Sequence, residues 1–261
     1  MSDYDRNARV QWGASVGQAG AQQIDQGLRA YMLGVYNYMT LGLAVTGLVA
    51  LATNMLAVSA TPTAYKFGGQ YLTNFGAAMY GSPLKWVVML APLAFIFIFS
   101  FRVDRMSAAS ARNMFLAFAA VMGLSLAWIF QVFTGVSIAQ TFFVTAIAFA
   151  GLSLYGYTTK RNLSAFGSFL MMGLIGLVVA SIVNIFLASS ALAFAISVIG
   201  VLLFAGLTAW DTQAIKATYI EFAQSGDQEW LGKSAIMGAL RLYLDFLNLF
   251  MFLLQFMGDR R

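Results

Sequence analysis

Residues 235–257 read AIMGALRLYLDFLNLFMFLLQFM. The run is long enough to cross the roughly 30 Å hydrocarbon layer of a bilayer as one helix, yet it carries Arg241 and Asp245. An ionised side chain at membrane depth needs a partner, a water-lined cavity or a proton. Moving toward the N-terminus, the preceding apolar run ends in a second carboxylate, Asp211. The reading that follows is a helical membrane bundle with Asp211 and Asp245 at its centre, controlling passage through it.

The rest of the chain supports the membrane class. Of 261 residues, 60% are hydrophobic and only 10% are charged, too little charged surface for a soluble protein of this size. With 24 glycines and 3 prolines, close-packed membrane helices are expected, because small residues let backbones approach. The ten-residue alternating segments of a membrane β-barrel are absent. The sequence contains neither cysteine nor histidine, which excludes disulfides, thiolate chemistry, zinc or haem sites built on those ligands, and every histidine-based catalytic arrangement. No cofactor is expected. A side-chain response to physiological pH falls to carboxylates, since the usual histidine switch is missing.

Seven spans are expected, at about residues 33–56, 86–101, 113–134, 137–157, 163–187, 191–214 and 235–257. Residues 1–28 form a polar cytoplasmic tail, which lacks the basic start directly before an apolar core that marks a cleavable signal peptide. Residues 29–261 form the membrane domain, with an external loop over about 57–85 whose tyrosines and phenylalanines suit the interface. The very short links after spans three and four force antiparallel neighbours. Ten Lys and Arg residues fall on the side of the N-terminus and four on the other, so the N-terminus is placed in the cytoplasm and the C-terminus outside. The modest net charge of +5 follows this loop bias and implies membrane lipid, not nucleic acid, as the partner.

Asp245 lies nine residues from Ile236, or roughly 14 Å along the helix. Asp211 and Arg102 reach a similar level from spans six and two, so three helices bring ionisable groups to the inner half of the bundle. Two nearby carboxylates do not both ionise cheaply in a low-dielectric site; they share a proton and titrate as a unit. This is a route to a gate that opens as charge and water enter. Bland readings stand beside it. Arg241 and Asp245 are four apart on one helix face and suit a structural ion pair, Asp211 is also placed to meet water or Lys216, and Arg102 is also an ordinary inside-facing anchor. Trp210, Thr212, Gln213, Tyr243, Asn248 and Asn184 are polar neighbours suited equally to routine helix hydrogen bonding.

The segment Ala209-Trp210-Asp211-Thr212-Gln213 resembles the sixth-helix signature of the Bax inhibitor-1, or transmembrane Bax inhibitor motif, family. Residues 239–250, ALRLYLDFLNLF, resemble its seventh-helix signature. The resemblance implies a bacterial inner-membrane protein with a central seventh helix surrounded by six, linked to calcium leak through a pH-sensitive aspartate pair. Carried over by motif, that pair is Asp211 and Asp245. The arginine that latches onto the sixth-helix aspartate in bacterial members corresponds to Arg102. Arg241 departs from the family pattern, and a cation one turn from Asp245 weakens the pH response and repels Ca²⁺.

The leading function is therefore slow movement of Ca²⁺ or another cation, with Asp211 and Asp245 as transient oxygen ligands. The protein is not expected to be an enzyme. Two other readings are a non-transporting scaffold or stress regulator, and an intramembrane aspartyl protease, although the Gly-x-Gly-Asp sequence of such proteases is replaced here by Tyr243-Leu244-Asp245.

Overall fold

The computed structural model describes residues 3–67, 69–222 and 227–261, with side chains described at 25–67, 69–103, 105–222 and 227–261. Most side chains of the expected polar tail lie outside these ranges. Its backbone forms the front of α1 (Asp3–Ala57), whose apolar part is Asp25–Ala57. No proline occurs before Pro62, so nothing in this stretch removes a helix hydrogen bond.

The segment after α1 folds back on it. A two-stranded antiparallel hairpin, β1 (Lys66–Phe67) and β2 (Gln70–Tyr71), turns at Gly69, whose φ of +80° suits glycine. Thr73 then caps α2 (Asn74–Gly76), accepting from the Gly76 amide, while its own amide donates to the Ala57 carbonyl at 2.9 Å. A Cβ on Gly76 would overlap that same carbonyl, so the glycine lets the loop seat against the end of α1.

The remaining helices are α3 (Leu84–Arg102), α4 (Ala108–Leu126), α5 (Ile129–Val132), α6 (Gly135–Thr158), α7 (Ser164–Leu187), α8 (Ser190–Phe222) and α9 (Gln228–Met257). Ser107, Thr134 and Asp227 cap α4, α6 and α9 through their side-chain oxygens. Seven helical segments are long and apolar enough to cross a membrane, with α4 and α5 together forming the third. The expected third span is broken at Ala127–Trp128, and α8 runs two turns past its expected end at 214. The last four residues return to the bundle: the Arg261 amide donates to the Val132 carbonyl at 2.9 Å, and Thr134 donates to that of Asp259 at 3.1 Å.

The outward faces are apolar. Phe101 and Phe186, for example, are more than four-fifths exposed, a pattern suited to lipid. The last helix differs: 61% of its apolar window is buried, against 11–39% for the other six. Helix α9 packs on α1, α4, α6 and α8, while α3 packs on α4 and α7 on α8.

Tyr243 shows how α9 is fixed. Its fully buried ring meets Phe115 edge-on at 5.5 Å and Phe118 at 5.9 Å. Thr46 donates to the Ala119 carbonyl at 2.9 Å, so its single proton is used and the Tyr243 hydroxyl donates to Thr46 at 2.7 Å. Tyr243→Phe keeps the ring and removes this bond. A loss of about 1 kcal/mol is expected, read as a lower unfolding temperature of the purified protein in micelles.

Candidate functional site

Helices α8 and α9 run side by side because small residues permit it. On one flank of α8, the backbone of Gly156 in α6 packs against the Ala209 carbonyl; on the other, Gly238 of α9 meets Ile215. Gly167 of α7 makes room for the Trp210 ring in the same way. This packing brings Asp211 and Asp245 together. Both are buried, and their carboxylates face one another within hydrogen-bond reach. The Oδ2 atom of Asp245 is buried and has no hydrogen-bond partner among the described residues. Two facing carboxylates offer each other only acceptors, so a proton on either one supplies the missing donor.

The third charge comes from Arg241. Its Nη1 lies 3.8 Å from Asp211 Oδ1, across the helix interface. This is the ion pair among the described residues; the expected pair within α9, Arg241 with Asp245, is not formed. The Arg241 side chain is 57% exposed and that of Asp211 only 10%, so the guanidinium approaches the buried acid from an open space. Arg102 is not brought to this site. It lies exposed at the end of α3 beside Arg105, Met106 and Met114.

The polar neighbours divide into two groups. Thr212 donates to the Thr208 carbonyl at 2.7 Å, which leaves Ser153 to donate to Thr212 at 3.0 Å and Tyr36 to donate to Ser153 at 2.6 Å. This directed chain joins α1, α6 and α8 next to Asp211. Gln213 accepts from the Leu163 amide and donates to the Arg161 carbonyl, both at 2.8 Å, and Lys216 donates to the Tyr157 carbonyl at 2.8 Å while lying over that ring. These two residues hold the α6–α7 link, and Lys216 is not the partner of Asp211. Asn248 donates to the Leu244 carbonyl, and Asn184 accepts from the Ser189 amide. Tyr36 and Ser153 have no role in the sequence reading; their only signal is hydroxyls inside apolar spans.

Among the described residues, no group of three or more His, Cys, Asp or Glu is assembled for a metal ion. The dyad thus offers two carboxylates, a set suited to transient contact with a hard cation more than to a resident one.

Fold and site together define a multi-span α-helical membrane protein with a buried carboxylate pair between its last two helices. The chain belongs to the Bax inhibitor-1 family: the family described as "Inhibitor of apoptosis-promoting Bax1" matches residues 28–261. It is 48% identical over 238 residues to a protein of Caulobacter vibrioides, covering 91% of this chain and 92% of that one. A Rickettsia prowazekii protein is 45% identical over 237 residues, covering 91% and 92%. The inner membrane protein YbhL of Escherichia coli is 44% identical over 236 residues, covering 90% and 94%. Proteins of this family are not enzymes, and the aspartyl protease reading ends there.

Proposed function

We propose that the protein is a pH-sensitive leak path for Ca²⁺ or another cation, gated by Asp211 and Asp245. Helix α9 is the axis around which the other spans are arranged, and the dyad sits toward the cytoplasmic mouth. The observation that carries this reading is the pair of facing buried carboxylates with an unsatisfied oxygen on Asp245. A shared proton holds α8 to α9; its loss puts two like charges together and favours separation and entry of water and a cation. The bias of Lys and Arg toward one side supports an N-terminus in the cytoplasm and a C-terminus outside. The printed name of the Escherichia coli relative supports the inner membrane. Arg102 belongs to this proposal as a latch on Asp211 in another arrangement of α3.

A second reading is a non-transporting scaffold or stress regulator. The Arg241–Asp211 pair favours it, since a cation on the acid is what static packing needs. Proteoliposomes loaded with a Ca²⁺ indicator separate the two. Flux is expected to rise with pH as the shared proton is lost, and Asp245→Asn is expected to remove that pH dependence. Unchanged flux in that variant would sink the gate.

A further inference from the structure

A cavity opens beside the dyad. It occupies 280 Å³ between α1, the end of α3, α8 and the first half of α9. Arg241 and Lys233 both line it, with the hydroxyls of Tyr31, Thr218 and Ser234, and its described lining contains no carboxylate. On α9 the two cations are eight residues apart, about 12 Å along the axis, a distance that two long side chains bridge around one small anion. Neither is spent on protein hydrogen bonds: among the described residues Lys233 has no ion pair, and the guanidinium of Arg241 has only its 3.8 Å contact with Asp211. Tyr31 and Ser234 hydrogen-bond to each other at 2.8 Å; one proton serves that bond and the other hydroxyl keeps a proton to donate.

We propose that this cavity binds a phosphate-class oxyanion through Arg241 and Lys233, and that the bound anion competes with Asp211 for the guanidinium. The chemistry is matched. Arginine presents a planar set of donors that fits phosphate oxygens in pairs, lysine adds a point charge, and a hydroxyl completes the shell. The competition follows from linkage: an anion that prefers Arg241 free of Asp211 shifts the protein toward that state, and removing Asp211 must tighten anion binding. If the gating proposed above holds, an occupied site also neutralises a positive vestibule that otherwise repels Ca²⁺; the anion site itself does not depend on that reading.

The test uses the full chain purified in micelles, titrated with inorganic phosphate by calorimetry at constant ionic strength. Saturable binding is expected, weakened at least tenfold in Arg241→Gln and in Lys233→Gln, and tightened in Asp211→Asn. Because binding is read without flux, a failed gate leaves this result standing. Nanodiscs of phosphatidylglycerol and of phosphatidylcholine distinguish the source. Should free phosphate not bind while phosphatidylglycerol raises the unfolding temperature in a manner lost in both cation variants, a lipid headgroup supplies the phosphate. Binding that is indifferent to both cations, or absent for both sources, overturns the proposal. Lys233→Gln is a second, independent variant, so the test survives if Arg241→Gln does not fold.

Discussion

Gly156→Leu is expected to destabilise the protein by about 3 kcal/mol or more, the upper range for an overpacked interface, and to disable the site with it. A Cβ at this position would overlap the Ala209 carbonyl. That atom belongs to backbone, so it cannot rotate aside, and α6 and α8 must separate. Ala209 precedes Asp211 by two residues, and the 3.0 Å bond from Ser153 to Thr212 crosses the same interface. Helix propensity opposes this change by only about 1 kcal/mol, so packing wins. Gly151 on the same helix is the control: a Cβ there meets nothing within 4 Å, and Gly151→Ala is expected to be neutral or slightly stabilising. Thermal unfolding of the three proteins in micelles checks the pair. Equal unfolding temperatures for Gly156→Leu and the parent chain would show that α6 and α8 do not touch here.

What the sequence made legible follows from which forces dominate. Seven apolar runs announce themselves because burial in lipid demands length and composition, and charges within such runs are rare enough to point at Asp211 and Asp245 directly. The partner of Arg241 was not legible in that way. Spacing along α9 offers Asp245 one turn away, but the guanidinium instead approaches Asp211 across the helix interface, and that choice depends on helix rotation and separation. The end of α8 misled for a related reason. The sequence ends span six at 214, just before Lys216, whereas Gln213 and Lys216 both turn back to bind the α6–α7 link and the helix continues to Phe222. The Tyr36–Ser153–Thr212 chain carries no charge and no local spacing, since its three hydroxyls come from three helices.

The dyad makes a stability prediction that separates a gate from a brace. Asp245→Asn is expected to raise stability at neutral pH by about 1–3 kcal/mol, the range for relieving a buried unsatisfied polar atom. Asparagine keeps the shape of the side chain, removes the charge and supplies an amide donor to Asp211. Asp211→Asn is expected to gain less, because it also removes the partner of Arg241; an exposed cation loses only about 0–1 kcal/mol by such a change. The double variant should gain less than the sum of the singles, since both relieve one repulsion, and a coupling on the order of 0.5–3 kcal/mol is expected for groups in contact. Chemical unfolding in mixed micelles measures all four proteins. A scaffold whose acids exist to hold helices together requires the opposite sign, with each substitution loosening the fold. A more stable Asp245→Asn protein that has lost its pH-dependent flux would assign the repulsion to function, because strain kept at a buried site against stability is the signature of a part that must open.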